Sequence, residues 1–98
     1  MNLQEREKVY QRALNEWGEY SQLDQGIEEM AELILAINKY KRLNMDLSKR
    51  KDEIMENLIE EIADVKMCIE QFEMMFGKEK VSKMLDKKME KFLKCFDK

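Results

Sequence analysis

The chain has 98 residues, of which 44% are apolar and 40% charged, so it is too apolar to be disordered and is expected to form one domain, residues 1–98. Its net charge of −3 argues against a protein that binds the phosphate backbone of nucleic acids. No apolar run approaches the ~20 residues that a helix needs to span a membrane, which argues against a membrane protein. The two cysteines, Cys68 and Cys95, lie far apart with no signal peptide before them, so we expect reduced thiols in a cytoplasmic protein.

The sequence contains no histidine. This excludes histidine-based acid–base and nucleophilic catalysis, and it excludes the usual zinc ligand sets. It also disfavours ferritin-like di-iron sites, whose helices carry Glu-x-x-His motifs. A metal bound by this chain is therefore expected to have oxygen ligands, which favours Mg²⁺, Mn²⁺ or Ca²⁺.

Composition and periodicity predict an all-α fold of four helices. The chain has no proline and only three glycines, and good helix formers are plentiful. The first helix is predicted over Leu3 to Glu16 and ends at Trp17-Gly18, where the glycine provides a C-terminal cap. A second helix follows from Glu19 to about Lys41. Apolar residues three and four apart predict its buried stripe, which is Leu23, Ile27, Met30, Ile34 and Ile37.

The polar stretch from Asn44 to Lys49 predicts a connection in which Asp46 or Ser48 would cap the third helix. That helix is predicted from about Lys51 to Phe76 and ends at Gly77, and a fourth helix continues to near the C-terminus. The predicted buried stripes are Leu58, Ile62, Val65, Ile69, Phe72 and Phe76 in the third helix and Val81, Leu85, Met89, Phe92 and Phe96 in the fourth. The second and third helices are expected to form an antiparallel hairpin, and so small a chain is expected to complete its core by oligomerisation.

Acidic residues recur beside the apolar stripes of the second and third helices. Positions three and four apart share a face of a helix. One polar face of the second helix carries Gln22, Gln25, Glu29, Glu32, Ala36 and Lys39. In an antiparallel pair Glu29 and Glu32 come level with Glu61 and Asp64 of the third helix, so that four carboxylates converge. Such a cluster is self-repelling without a divalent cation, and Mg²⁺ held by carboxylates also takes substrate phosphates as ligands.

Spacing alone leaves a second interpretation open. Twenty-one of the 98 residues are acidic, so two such pairs can arise by chance on solvated helix faces. Under this interpretation the chain is a non-catalytic helical module that interacts with a partner or regulates it.

Trp17-Gly18 and Gln22 precede two acidic motifs, EEMAEL and EEIADV. This ordered set resembles the MazG-like all-α nucleoside triphosphate pyrophosphohydrolases, whose signature is ExxE, a gap of a few tens of residues, and ExxD. Glu29-Met-Ala-Glu32 matches the first part and Glu61-Ile-Ala-Asp64 the second. The similarity extends from about Leu14 to Phe92 and is greatest to the small single-domain members found in phages and bacteria.

The resemblance implies an enzyme that hydrolyses a nucleoside or deoxynucleoside triphosphate to a monophosphate and pyrophosphate. By the match, Glu29, Glu32, Glu61 and Asp64 would bind one or two Mg²⁺ ions, with Mn²⁺ as an alternative. Glu29 or Glu32 would take the proton of the attacking water. The family also implies a homodimer or a homotetramer.

Three residues near the first acidic motif are candidates for binding the nucleoside. Trp17 would stack on the base, or else it packs beside the helix-ending glycine. Gln22 and Gln25 lie on the acidic face and would hydrogen-bond the base or sugar, or else they are solvated.

Four further residues are candidates for binding phosphate. Lys39 and Asn57 share faces with the acidic motifs, and the alternative for each is an ordinary surface position. Lys88 and Lys91 resemble a basic pair that small family members place on their last helix. The alternative for this pair is a solvated basic face near a helix C-terminus.

Overall fold

The computed structural model describes residues 1–44 and 50–96, and the all-α prediction is confirmed for this part of the chain. The four helices are α1 (Leu3–Trp17), α2 (Glu19–Lys41), α3 (Lys51–Phe76) and α4 (Lys78–Leu93). Short 3₁₀ helices, Arg42–Asn44 and Lys94–Phe96, follow α2 and α4. The predicted caps Asp46 and Ser48 lie outside the described residues. Among the described residues, no helix is both long and apolar enough to cross a membrane.

Sequence-encoded signals explain where the helices begin and end. Asn2 starts α1 with a reciprocal pair of hydrogen bonds, because its side chain accepts from the backbone of Glu5 (2.8 Å) while its own backbone donates to the Glu5 carboxylate (3.2 Å). Gly18 (φ 87°) separates α1 from α2, and Gly77 (φ 125°) separates α3 from α4. These φ values are readily adopted only by glycine, so each of the two junctions needs a single residue.

A three-residue network joins α1 to α3. The Arg6 guanidinium donates two hydrogen bonds of 2.8 Å to the Glu70 carboxylate, and the Tyr10 hydroxyl donates a third of 2.6 Å. The hydrogen bonds from Arg6 and Tyr10 lower the pKa of Glu70 to about 2. Burial, together with the bond to Glu70, raises the pKa of Tyr10 to about 12. The network therefore fixes α1 against the C-terminal half of α3.

Helices α2 and α3 pack through small and amide side chains. The Gln71 amide donates a 2.9 Å hydrogen bond to the Gln22 amide oxygen, and both side chains are buried. Gly26 lies against the ring of Phe72, so close that a Cβ atom on Gly26 would be 2.9 Å from Cε2 of the ring. Further along α2, Ala36 is only 1% exposed. One edge of the predicted polar face, marked by Gln22, Glu29 and Ala36, is therefore covered together with Gly26, whereas Gln25, Glu32 and Lys39 stay exposed.

This packing corrects the prediction of which side chains are buried. In the predicted stripe of α2, Ile27 (65%), Ile34 (59%) and Ile37 (42%) are exposed, whereas Leu23 and Met30 are partly covered. In the predicted stripe of α3, Ile62, Ile69 and Phe76 are exposed, whereas Leu58, Val65 and Phe72 are partly covered. All five stripe residues predicted for the fourth helix are exposed, among them Phe92 at 58%, and Phe96 lies beyond α4 in the following 3₁₀ helix. The physical reason is that the small residues Gly26 and Ala36 lie at and beside the edge of the polar face, so that side of α2 approaches the neighbouring helix most closely.

Candidate metal centre

Carboxylates from α2 and α3 meet near the middle of the two helices. Glu29 and Glu32 on α2 and Glu61 on α3 each offer an oxygen, and these oxygens all lie within 4.8 Å of one another. Asp64 stands beside Glu29, close enough for its carboxylate to act on the pKa of Glu29. We call Glu29, Glu32, Glu61 and Asp64 the carboxylate cluster. The structure thus brings together the three glutamates of the predicted site, with the aspartate at their edge.

The cluster is electrostatically costly in the absence of a cation. Desolvation by burial raises the pKa of Glu29, the negative charges of Asp64 and Glu32 raise it further, and a 2.8 Å hydrogen bond from Gln25 partly opposes them. Desolvation also raises the pKa of Glu61, followed by the charges of Glu32 and Asp64. Both effects disfavour the ionised carboxylates, and a bound cation would reverse them.

Two oxygens of the cluster are buried and have no hydrogen-bond partner among the described residues. They are Oε2 of Glu29 and Oε2 of Glu61, one from each helix. A buried acceptor left without a partner is destabilising, and such atoms are few in folded proteins. A hard divalent cation would satisfy both atoms, since carboxylate oxygens are the ligands that Mg²⁺ and Mn²⁺ prefer. The residues present therefore fit a Mg²⁺ or Mn²⁺ ion.

A cleft of about 250 Å³ adjoins the cluster on the side of α1. Trp17, Gln22 and Gln25 line it together with Glu29 and Asp64, and we call it the aromatic cleft. The Trp17 side chain is 63% exposed, so its ring is not used to pack the interior of the chain. Of the two glutamines, Gln22 is held by Gln71 and Gln25 by Glu29. The three predicted nucleoside-binding residues thus line the same cleft as Glu29 and Asp64.

A second cleft, of about 430 Å³, lies where α2 ends and α3 begins. We call it the basic cleft, and its lining residues are Lys39, Arg42, Arg50, Glu53, Ile54 and Asn57. Lys39 and Asn57 are phosphate contacts predicted from the sequence, whereas Arg42 and Arg50 were not predicted. Arg42 follows Lys39 by three residues, so helical periodicity could have found it. Arg50 carries no such signal, because its position depends on the path of the chain between the two helices.

The structure does not bring Lys88 and Lys91 to the cluster. Both lie on α4, are exposed, and line neither of the two clefts. Helix α4 leaves α3 at Gly77, whereas the basic cleft is at the opposite end of α3. Within one chain, these two lysines are therefore not part of the candidate site.

The three features follow one another along α2 and α3. Gln22 and Gln25 precede Glu29 on α2, and Lys39 follows Glu32 by about two turns. The carboxylate cluster consequently lies between the aromatic cleft and the basic cleft. Comparisons with protein-family models, with curated proteins and with solved structures found no match for this chain.

Proposed function

We propose that this chain is a Mg²⁺-dependent nucleoside triphosphate pyrophosphohydrolase of the MazG-like class, with Mn²⁺ as an alternative metal. It would hydrolyse a nucleoside or deoxynucleoside triphosphate between the α- and β-phosphates, giving a monophosphate and pyrophosphate. The observation that carries this proposal is the meeting of carboxylates from two helices around buried, unpartnered oxygens of Glu29 and Glu61. The aromatic cleft beside them has space and an exposed ring for a base.

Glu29, Glu32, Glu61 and Asp64 would hold the metal. Mg²⁺, when bound, supplies charge neutralisation of the phosphates and lowers the pKa of a coordinated water. Glu29 or Glu32 would accept the proton that the attacking water loses, as a carboxylate general base within hydrogen-bonding reach. This chemistry needs no histidine, which agrees with the composition.

The nucleoside would occupy the aromatic cleft. The exposed ring of Trp17 would stack on the base, a contact worth about 1–3 kcal/mol in single-stranded nucleic-acid complexes. Gln22 and Gln25 would orient the base or the sugar, because each has polar capacity beyond its single described hydrogen bond. Lys39 and Asn57, in the basic cleft, are placed on the side where phosphates would extend.

The proposed site requires α2 and α3 to form an antiparallel hairpin. The order of their contacts supports this arrangement, because residues later in α2 meet residues earlier in α3. Gln22 contacts Gln71, Glu32 lies in one group with Glu61, and Lys39 shares a cleft with Asn57. The antiparallel pair would thus present both acidic motifs at the same level.

We further propose that the chain functions as a homodimer or homotetramer. Its accessible surface is 8498 Å², whereas a compact monomer of 11.9 kDa is expected to expose about 6,000 Å². Its radius of gyration is 17.0 Å, against about 13 Å for a compact chain of this length. No large side chain is fully buried among the described residues. A second copy that covers the exposed stripes of α2, α3 and α4 would supply the missing core.

Product analysis tests the enzymatic proposal. The protein is incubated with each of the common nucleoside and deoxynucleoside triphosphates and Mg²⁺, and the products are identified by chromatography and by separate assays for pyrophosphate and orthophosphate. Monophosphate and pyrophosphate in equal amounts are expected for at least one substrate. Release of orthophosphate and a diphosphate, or no turnover with any triphosphate, contradicts the proposal.

A second candidate is a non-catalytic helical module, and the exposed apolar stripes favour it. A protein whose task is to bind a helical partner would also present such faces. Under this alternative, Mg²⁺ leaves the melting temperature unchanged and Glu61→Ala has no effect on any binding activity. Thermal unfolding with and without Mg²⁺ separates the two candidates, because a ligand that binds only the folded state raises its stability.

A further inference from the structure

The buried amide pair of Gln22 and Gln71 forms part of the wall of the aromatic cleft. Gln22 is 9% exposed and Gln71 is 6% exposed, and both line the cleft. The hydrogen bond between them uses the amide nitrogen of Gln71 and the amide oxygen of Gln22. The amide nitrogen of Gln22 and the amide oxygen of Gln71 are not among the fully buried atoms that lack a partner in the described part of the chain. These two atoms are therefore available to a molecule in the cleft.

Among the described residues, no charged group holds either amide of the pair in one orientation. Gln25 of the same cleft differs in this respect, because it must turn its amide nitrogen toward the Glu29 carboxylate, to which it donates a 2.8 Å hydrogen bond. The side chains of Gln22 and Gln71, by contrast, hydrogen-bond only to each other within the described residues. Their mutual bond alone therefore decides which atoms face the cleft.

The pair can be reversed without losing its internal hydrogen bond. A terminal amide rotates about its last torsion angle between two orientations that exchange its nitrogen and its oxygen. When both amides rotate, Gln22 becomes the internal donor and Gln71 the internal acceptor. One orientation then offers the cleft a donor from Gln22 and an acceptor from Gln71, and the other offers the reverse.

The hydrogen-bonding edges of the nucleobases differ in the same sense. Cytosine and adenine carry an amino donor beside a ring-nitrogen acceptor, whereas uracil, thymine and guanine carry a carbonyl acceptor beside an N–H donor. Stacking on Trp17 would use the face of the base and leave this edge free. A reversible pair of donor and acceptor matches both classes of base, whereas a fixed pair matches only one.

We propose that Gln22 and Gln71 together read the edge of the base and, by rotating as a unit, accept amino and keto bases alike, an inference that rests on the proposed function. Gln71 thereby becomes a base-contacting residue, and the substrates are nucleoside triphosphates of both base classes. Val9, Ala13 and Met67 of the same cleft offer apolar side chains, so they do not distinguish the two classes.

Binding of three pyrimidine nucleotides tests the assignment. They are the triphosphates of cytidine, of uridine and of the pyrimidin-2-one nucleoside, which lacks the amino or carbonyl group at position 4. In each, a methylene group replaces the α–β bridging oxygen, so that the ligand binds without being hydrolysed. The affinities for the parent and its variants are measured by calorimetry with Mg²⁺.

The test variant carries leucine at both Gln22 and Gln71, and the control carries leucine at Gln4 and Gln11, which are exposed and do not line the cleft. Circular dichroism confirms that the helix content of each variant matches that of the parent. The double change of Gln22 and Gln71 to methionine is a second test variant, because methionine keeps the length of the side chain without its amide.

The parent is expected to bind the cytidine and uridine ligands with affinities within about threefold of each other, and the pyrimidin-2-one ligand more weakly than both. The leucine variant should bind the cytidine and uridine ligands about tenfold more weakly than the parent, since it loses two hydrogen bonds to the base. It should no longer distinguish the three ligands. The control should bind all three as the parent does.

Two results would overturn the assignment. One is a preference of the parent for one base class by about tenfold or more, which indicates a fixed amide pair. The other is an unchanged affinity for the cytidine and uridine ligands in both the leucine and the methionine variants. Failure of the parent to hydrolyse any triphosphate is a separate outcome and overturns the proposed function itself.

Discussion

The Gln71 side chain donates a 2.9 Å hydrogen bond to the side chain of Gln22 in the buried contact between α2 and α3. Glu29 lies seven residues later than Gln22 on α2, and Asp64 lies seven residues earlier than Gln71 on α3. Glu32 follows Gln22 by ten residues on α2, and Glu61 precedes Gln71 by ten residues on α3. The buried amide pair thus lies in the same register as the acidic motifs, and holding that register brings the carboxylates together.

Removing one amide of this pair is expected to destabilise the chain more than removing both. Gln71→Leu leaves the Gln22 amide buried without a partner, which costs about 1–3 kcal/mol, whereas the double change to leucine removes both polar groups and should be closer to neutral. Chemical denaturation of the parent, the two single variants and the double variant provides the complete cycle. Additive losses in the double variant would show that the amides do not act as a pair.

Glu61→Gln is expected to abolish stabilisation by Mg²⁺, because it removes a ligand that brings one of the two buried unpartnered oxygens. The metal-free variant should melt no lower than the parent, since the change also removes a negative charge from a crowded cluster. Glu60→Gln is the matched control, because Glu60 is the adjacent residue and is exposed. For the parent, Mg²⁺ at about 100 times its dissociation constant should add about 2.7 kcal/mol to the free energy of unfolding. An equal Mg²⁺ effect in the parent and Glu61→Gln would contradict the assignment.

Trp17→Ala is expected to weaken nucleoside triphosphate binding about tenfold or more if its exposed ring stacks on the base. Pyrophosphate binding should not change, because the basic cleft does not include Trp17. Tyr20→Ala provides the control, since Tyr20 is an 81% exposed aromatic residue that does not line the aromatic cleft. The affinities are measured by calorimetry on the helical, folded variants. Equal losses for the two ligands would argue for general damage to the site.

The Glu70 network is expected to make the chain sensitive to acid. The folded pKa of Glu70, about 2, lies below its ordinary value of 4.5, so its contribution to stability is complete above pH 4.5 and is lost as pH falls from 4.5 toward 2. The raised pKa of Tyr10 acts in the alkaline range, where stability is lost as pH rises from 10 toward 12. Glu70→Gln should lower the free energy of unfolding at pH 7 and should weaken its dependence on pH below 4.5. Glu60→Gln changes an exposed residue of the same helix and should leave that pH dependence as it is in the parent.

Self-association is tested by placing a charge on the exposed stripe of α2. Ile34→Glu is expected to shift the chain to a smaller species in light scattering coupled to gel filtration and to lower its melting temperature, because a charge cannot be buried there without a partner. Asn38→Glu, one turn later on the same helix, introduces the same charge at a polar position. The melting temperature of the parent should also rise with protein concentration. A monomeric parent with a concentration-independent melting temperature would rule out the oligomer.

The sequence was sufficient to predict the helices and the meeting of the acids. Gly18 and Gly77 mark helix ends because few other residues adopt their backbone angles, and the spacing of Glu29 and Glu32 places both on one face of α2. The structure confirms the predicted helix boundaries. The end of α1 differs by one residue, because Trp17 is still helical. The helix ends and the shared faces are local, so they can be obtained from periodicity alone, whereas the meeting of the acids also required the assumption that α2 and α3 pack antiparallel.

Features that depend on packing between helices could not be obtained in this way. The usual rule assigns the apolar stripe to the interior, but Gly26 and Ala36 allow the side of α2 at the edge of its polar face to approach α3 instead. The rule describes a helix whose apolar stripe is covered within its own chain, whereas Ile27, Ile34 and Ile37 of the α2 stripe are exposed here. Arg50 was not predicted because its place in the basic cleft depends on how the start of α3 packs against the end of α2.

Gly18 gives the aromatic cleft an unusual dependence on backbone geometry. Trp17 is the last residue of α1, and a single glycine with φ 87° and ψ 163° separates it from α2, which carries the glutamines. Nothing lies within 4 Å of the position that a Cβ would occupy there, so a side chain at residue 18 would be opposed by dihedral strain and not by crowding. The separation between the indole and Gln25 therefore depends on the φ and ψ angles of Gly18, and under the proposed function it would limit the size of nucleobase that could bind.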